Sequence, residues 1–337
     1  MLIVMSPDAT SDQIDTVCAR IRELGFKPNQ IPGAGRTAIG ITGNPGPIPP
    51  EVFSHLPGVS ECVRVTKPYK LVSRETKKED TVLDIRGVKV GDGSLQVVAG
   101  PCSVESREQI MRCAECVAKS GAKFLRGGAF KPRTSPYLFQ GLKDEGLKLL
   151  DEVKRQFDLR IVTEALNTET LDAVAQVADV IQIGARNMQN FTLLQAAGAT
   201  GKAIILKRGM SATLQELFLA GEYVLAQGNY NLMLCERGIR TFETMTRNTL
   251  DLSAVIMMKH HTHLPVCADP SHGVGIDWAV PPLAKASVMA GADVVMMEMH
   301  PDPSRALSDG QQSLDFETYL KLTAELRSLH AIRSSSR

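Results

Sequence analysis

Between Leu125 and Pro136 the chain reads Leu-Arg-Gly-Gly-Ala-Phe-Lys-Pro-Arg-Thr-Ser-Pro, so Arg126, Lys131, Arg133 and the hydroxyls of Thr134 and Ser135 follow a short apolar run. Planar guanidinium forks suit phosphate or carboxylate oxygens bidentately. The glycine pair lets backbone approach a ligand closely, and Pro132 fixes a dihedral that a solvated basic loop would leave free. The stretch reads as a strand opening into an anion site.

A second group is scattered: Cys102, His272, Glu298 and Asp309. A thiolate, an imidazole and two carboxylates would make a mixed divalent site able to hold manganese, iron, cobalt or zinc, and ligand type alone does not choose among them. Taken singly, Cys102 reads as a core thiol, His272 as a hydrogen-bonded structural histidine and Asp309 as a turn cap. Their common position along the chain gives them meaning as a set.

That position follows from the elements. From Leu95 onward, apolar runs of about five residues alternate with amphipathic helical stretches, beginning at Leu95, Lys123, Arg160, Asp179, Ala203, Asn231, Leu264 and Asp293. Eight such units without a dinucleotide glycine fingerprint favour an α/β fold of the (β/α)8 TIM-barrel type over an open doubly wound sheet. In such barrels the chemistry sits at the carboxyl ends of the strands. Here those ends carry Cys102, Arg126 and Lys131, Glu164, Ala185 and Arg186, Lys207 and Arg208, Glu236 and Arg237, Asp269 and His272, and Glu298 with His300. Seven cations (Arg126, Lys131, Arg133, Arg186, Lys207, Arg208 and Arg237) are thus expected around one mouth. Two phosphorylated reactants, one also a carboxylate, would bring about five negative charges to meet them.

Residues 1–66 read as a separate ferredoxin-like α+β unit in β-α-β-β-α-β order, with its first helix capped at Ser11 or Asp12 and a short second helix near Pro50 to His55. A charged tract places the linker at 67–87, and the barrel spans 88–337, opened by a hairpin in which Val88 to Val90 turns at Gly91-Asp92-Gly93 into Leu95 to Ala99. The formal net charge of +1 argues against a nucleic-acid footprint or a basic membrane surface, so positive charge must be local. Seven cysteines without framework spacing, no signal peptide and no bilayer-length apolar run point to a reducing cytoplasm. Cys113 and Cys116 share a helical face and read as structural thiols.

The motifs Gly100-Pro101-Cys102-Ser103, Lys131-Pro132-Arg133-Thr134-Ser135, Gly184-Ala185-Arg186-Asn187, Leu206-Lys207-Arg208-Gly209, Asp269-Pro270-Ser271-His272 and Ala306-Leu307-Ser308-Asp309-Gly310 resemble those of the 3-deoxy-D-arabino-heptulosonate 7-phosphate (DAHP) synthases, in the form with an N-terminal ferredoxin-like regulatory domain. The resemblance covers essentially the whole chain. It implies a transferase that condenses phosphoenolpyruvate with erythrose 4-phosphate and water, releasing phosphate, as the first step of the shikimate pathway to the aromatic amino acids. It further implies one divalent metal ion (Mn2+, Fe2+, Co2+ or Zn2+) on Cys102, His272, Glu298 and Asp309. Phosphoenolpyruvate would be held by Arg126, Lys131, Ala185, Arg186, Lys207 and Arg237, and erythrose 4-phosphate by Arg133, Thr134 and Ser135. An aromatic amino-acid effector on the small domain and a homotetramer are implied as well.

Such a condensation needs the aldehyde oxygen polarised as it becomes an alkoxide, which a bound metal could do. Lys131 is the expected proton donor, on the argument that neighbouring arginines depress its pKa. Asp269 could meet the sugar or fix the tautomer of His272. Glu164 and Glu236 could orient cations, and His300 could pack beside Glu298. Three rival readings remain. A 3-deoxy-D-manno-octulosonate 8-phosphate synthase would use arabinose 5-phosphate, but its loop bears asparagine where this chain has Lys-Pro-Arg-Thr-Ser. An amino-acid sensor would have an inactive barrel, and an aldolase would form a Schiff base at Lys207.

Overall fold

Alternation of side chains along short buried strands decides what the barrel holds. The computed structural model describes residues 1–32, 36–44, 46–63, 67–132, 135 and 137–335. Strands β7 (Gln96–Gly100), β8 (Phe124–Arg126), β9 (Arg160–Glu164), β10 (Val180–Ile183), β11 (Ala203–Lys207), β12 (Leu232–Glu236), β13 (Val266–Ala268) and β14 (Val294–Glu298) close into one parallel barrel, with β14 pairing β7. Helices α2 (Arg107–Lys119), α3 (Asp144–Phe157), α4 (Thr168–Val177), α5 (Phe191–Ala199), α6 (Leu214–Leu225), α7 (Leu252–His261), α9 (Val280–Ala290) and α10 (Phe316–Ser335) form the outer ring, with a short α8 (Pro270–Val274) after β13. Ser106, Asn167, Asn190, Thr213 and Asp251 cap five of the helices by accepting a backbone N–H three residues on.

Two apolar cores separate by parity. Val98, Phe124, Val162, Val180, Ile205, Met233, Cys235, Cys267, Val294 and Met296 fill the lumen. Their neighbours, including Val97, Leu125, Ile161, Ile181, Leu206, Leu234, Val266 and Val295, face the helices. Continuing the inward register by two residues brings Arg126, Glu164, Gln182, Lys207, Arg237, Asp269 and Glu298 to the top layer of the lumen. The apolar floor and the polar mouth are therefore one pattern read at two heights.

The bottom of the barrel is shut by a hairpin of β5 (Leu83–Ile85) and β6 (Val88–Val90), whose Leu83, Ile85 and Val90 join the lumen core. This corrects the expected hairpin. Arg86 and Gly87 both have positive φ, 51° and 81°, the geometry of a two-residue hairpin turn, whereas Gly91-Asp92-Gly93 only leads from the hairpin to β7. The charged stretch before it is anchored. Leu71 and Val72 are buried, Glu222 on α6 accepts from the backbone N–H groups of Lys70 and Val72 at 2.9 Å each, and the His263 ring bridges the Leu71 carbonyl and Thr81 hydroxyl at 2.7 Å each.

In the small domain, β1 (Leu2–Met5), β2 (Lys27–Pro32), β3 (Thr37–Thr42) and β4 (Val59–Val63) form an antiparallel sheet in the order β2-β3-β1-β4. Helix α1 (Ser11–Glu23) covers one face through Val17, Cys18 and Ile21 against Ile3, Met5, Ile39 and Ile41. Its cap is Thr10, not Ser11 or Asp12, because Thr10 and Gln13 form a reciprocal capping box. The expected second helix, near Pro50 to His55, is a single 3-10 turn, Pro50–Val52, opened by Pro50 at its first position. Among the described residues no helix is long and apolar enough to cross a membrane.

Gly100 ends β7 where the chain turns toward Cys102. A Cβ there would collide with the Arg126 carbonyl oxygen, backbone that cannot yield without shifting β8. Gly100→Ala is expected to cost about 3 kcal/mol or more in urea unfolding; a loss below about 0.5 kcal/mol would show the two strand ends to be less tightly joined than described.

Candidate metal and anion site

At the carboxyl end of the barrel lies a cavity of about 240 Å³, walled by Arg126, Lys131, Ala185, Arg186, Lys207 and Arg237 together with Arg247, Glu164 and Gln182. Five of the seven expected cations thus share one space. Arg133 and Thr134 lie outside the described residues, and Ser135, whose hydroxyl accepts from the Tyr137 N–H at 3.4 Å, does not line the cavity. Arg208 is a correction. It follows the outward parity of Ile204 and Leu206, so its guanidinium turns to Glu236 at 2.9 Å and Asp251 at 3.0 Å instead of the mouth. Glu236 shares that parity, and burial raises its pKa against the pull of Arg208.

Beneath the cations, the four scattered donors converge. Cys102 Sγ lies 3.2 Å from Asp309 Oδ2, and His272 Nε2 lies 3.4 Å from Glu298 Oε1 and 3.9 Å from Asp309 Oδ2. One donor atom each from Cys102, Glu298 and Asp309 falls within 4.8 Å of the others. Glu298 Oε1 is fully buried without a hydrogen-bond partner, although Arg126 Nη1 stands 3.2 Å away. A buried carboxylate oxygen left so, facing a thiol, an imidazole and a second carboxylate, fits a divalent cation. These four residues could hold one.

Local structure aims each donor. Asp269 caps α8, accepting from the His272 backbone N–H at 3.0 Å, and Pro270 supplies the preformed first turn, so the Asp-Pro-Ser-His spacing throws the imidazole back over the barrel. The other oxygen of Asp269 takes His272 Nδ1 at 2.8 Å and Lys207 Nζ at 2.5 Å. Asp269 is fully buried, so of the two expected roles its contacts serve the orienting one. With Nδ1 bound to the carboxylate, the Nε2 lone pair is free to face Glu298 and Asp309. The backbone of Asp309 is left-handed, φ 53°, a conformation aspartate tolerates better than most residues. His300 meets Glu105 at 3.2 Å, and Glu105 also accepts from the Leu307 N–H at 2.9 Å, which ties the Cys102 loop to the Asp309 loop.

Charge states follow from these contacts. Burial, with Glu298 and Asp309 nearby, pushes the Cys102 thiol up to about 12 even though Lys131 Nζ donates to Sγ at 3.0 Å. Burial lowers His272 despite Asp269 and Glu298, which keeps the imidazole neutral. Burial works against the Asp309 carboxylate, but His272 and Arg247 hold it down to about 2. The expected depression of Lys131 is overturned. Burial lowers it, as does Arg126, but Cys102, Glu164 and Glu298 outweigh them and the net shift is upward. Sequence reasoning also missed Arg247 and Gln312. Arg247 Nη1 reaches Asp309 at 3.2 Å and Gln312 at 2.8 Å from the loop after β12, a long connection with no periodic signal.

Asp269 carries the clearest stability consequence. Burial opposes its ionisation, yet His272 and Lys207 hold its carboxylate well below the usual range. A depressed folded pKa gives stability that is present above the unfolded value of about 3.9 and lost as pH falls below it. Asp269→Asn leaves Lys207 buried without its partner and is expected to cost about 3–5 kcal/mol at neutral pH. In denaturant titrations the gap from the parent protein should stay constant above about pH 4 and narrow below it; a gap that widens in acid contradicts the assignment.

Comparison with known proteins identifies the family. Residues 72–331 match the DAHP synthetase I family, and residues 1–67 match the DAHP synthase ferredoxin-like domain. The phospho-2-dehydro-3-deoxyheptonate aldolase of Thermotoga maritima is 48% identical over 98% of this chain and 97% of its own length. Its crystal structure, named there a DAHP synthase, superposes with a TM-score of 0.78 at 46% identity, covering 98% of this chain and 97% of that one. More distant is the 2-dehydro-3-deoxyphosphooctonate aldolase of Acidithiobacillus ferrooxidans, 32% identical over 64% of this chain and 82% of its own length. The chain, a TIM barrel behind a small antiparallel-sheet domain, belongs to the DAHP synthetase I family of enzymes.

Proposed function

We propose that the cavity condenses phosphoenolpyruvate with erythrose 4-phosphate and water to give 3-deoxy-D-arabino-heptulosonate 7-phosphate and inorganic phosphate, the first step of the shikimate pathway. The observation that carries this is the adjacency of two sites: a wall of six cations, Arg247 included, adjoins four convergent donors. Arg126, Lys131, Arg186, Lys207 and Arg237, with Ala185 beside them, hold the phosphate and carboxylate of phosphoenolpyruvate. Arg133, Thr134 and Ser135 receive the sugar phosphate. Cys102, His272, Glu298 and Asp309 hold one divalent ion, of manganese, iron, cobalt or zinc. When bound, that ion supplies a Lewis acid for the aldehyde oxygen.

A carbon–carbon bond forms between the enol carbon and the aldehyde carbon. Lys131 supplies the proton to the oxygen that becomes the alkoxide, and its raised pKa keeps the amine protonated until then. The cationic wall favours water addition at the carbon bearing phosphate, one water proton returning to the Lys131 amine. Carbon–oxygen cleavage releases phosphate, which takes the proton of the new hydroxyl as the ketone forms. His272 stays neutral, its Nδ1 held by Asp269 so that Nε2 faces the donor cluster.

The octulosonate reading is the nearer rival, since relatives so named share the barrel. The match of residues 1–67 to the DAHP synthase ferredoxin-like domain, and 48% identity to the Thermotoga enzyme, favour the heptulosonate reading. An intact donor set and cation wall speak against an inactive sensor. Lys207 Nζ is taken up by Asp269, which speaks against a Schiff base there. Phosphate release should require phosphoenolpyruvate and erythrose 4-phosphate together, stop on chelation and return with Mn2+, Fe2+, Co2+ or Zn2+. Faster release with arabinose 5-phosphate would move the chain to the sister activity, and full turnover after exhaustive chelation would remove the metal.

An aromatic amino acid is the proposed effector. A cavity of about 490 Å³ lies between the sheet face opposite α1, lined by Leu2, Val4, Ile31 and Ala38, and the charged stretch Glu75 to Glu79, with Arg36 and Glu61 also in its lining. Apolar floor and both charge signs suit a ring that carries an amine and a carboxylate. The side-chain amides of Asn29 and Gln30 on β2 donate to Thr42 and Cys18. Exposed Ile256, Met257, Met289 and Ile332 on the outer helices favour self-association, for which a homotetramer is the proposal, and seven unpaired cysteines suit a cytoplasmic setting. Tyrosine or phenylalanine is expected to lower the rate and raise Tm; no change in either with both ligands ends the regulatory reading.

A further inference from the structure

Each of the two carboxylates at the donor cluster has one oxygen turned inward and one turned away. Glu298 Oε1 faces His272 Nε2 at 3.4 Å, while its Oε2 accepts from Gln312 Nε2 at 2.6 Å. Asp309 Oδ2 faces Cys102 Sγ at 3.2 Å, while its Oδ1 meets Arg247 Nη1 at 3.2 Å. The same Nη1 donates to Gln312 Oε1 at 2.8 Å. Gln312 is wholly buried, and its neighbours dictate the orientation of its amide. Turned over, it would set oxygen against carboxylate and NH2 against guanidinium.

We propose that Gln312 is a positioning residue of the metal centre, occupying the outer oxygen of Glu298 directly and that of Asp309 through Arg247. The inference rests on the metal reading given above. Its consequence is that both carboxylates offer the ion a single oxygen. A compact mixed-donor site results, unlike the six to eight oxygens that calcium takes. Glutamine suits the task because one amide meets a carboxylate on one side and a guanidinium on the other, and no charge is added to a cluster that already holds two carboxylates and a thiol.

The test is titration of the metal-free full-length protein with Co2+, followed through the thiolate-to-cobalt absorption band, for the parent, Gln312→Met and Gln312→Glu. Gln312→Met removes both contacts. Gln312→Glu keeps the acceptor for Arg247 but loses the donor to Glu298. Both are expected to weaken Co2+ binding about tenfold or more and to alter the cobalt spectrum at saturation, since losing an orienting partner typically costs 10–100-fold. A merely structural role would lower Tm and leave the saturated spectrum unchanged. Arg247→Met, at a partly exposed position, serves if the buried replacements do not fold, and should weaken binding by a smaller factor. Variants that match the parent in both affinity and spectrum overturn the proposal. A parent protein without a thiolate band sinks the metal reading itself, which is a different result.

Discussion

A closed sheet of eight strands gives each strand only two faces, and this alternation decides everything at the mouth. Side chains of one parity must fill the lumen and those of the other must meet the helices. The apolar floor under the site is therefore not separable from the site. Phe124 fixes where Arg126 points, Ile205 fixes Lys207, and Val294 with Met296 fixes Glu298. Slipping any strand by one residue would turn its functional side chain into the helix layer, where Arg208 and Glu236 show what becomes of charges: they neutralise one another.

Bringing so many ionisable groups into that top layer raises a second constraint, that buried charge must be balanced. Lys207 and Asp269 pair at 2.5 Å, Arg126 faces Glu298 at 3.2 Å, and Lys131 rests on Cys102 Sγ at 3.0 Å. Each pair joins a cation of the anion wall to a member of the donor cluster or its support. The two halves of the site stabilise one another, and neither would be tolerable alone at this depth. Burial keeps His272 neutral at the same depth, although Asp269, shared between the imidazole and Lys207, pulls the other way.

Legibility in the sequence followed the length scale of each interaction. Barrel strands were legible because apolar runs recur with helical stretches between them, and residues at strand ends such as Arg126, Lys207 and Glu298 came with them. Arg208 was misplaced because charge was counted while parity was not; two residues back, Leu206 already faces outward. The hairpin was misread because Gly-Asp-Gly is the louder turn signal, whereas Arg86-Gly87 closes a two-residue turn with a residue that rarely takes positive φ. Gln312 and Arg247 left no trace because their partners lie 14 and 62 residues away, at the end of β14 and on another loop, so only packing brings them together.

The state of Cys102 links the donor cluster to proton chemistry. Its thiol, held up at about 12 by burial and by Glu298 and Asp309, keeps its proton at neutral pH while the Asp309 carboxylate is ionised. A cation entering the cluster must displace that proton, since the thiolate is the ligand form. Affinity for the cation therefore rises with pH, and the free energy of expelling the proton is set against every ligand bond formed. Lys131 reduces that cost, because its amine donates to the sulfur and favours the thiolate. The amine proposed as proton donor to the substrate oxygen would thereby also ease an ion's arrival, from a place in the cationic wall that adjoins the sulfur.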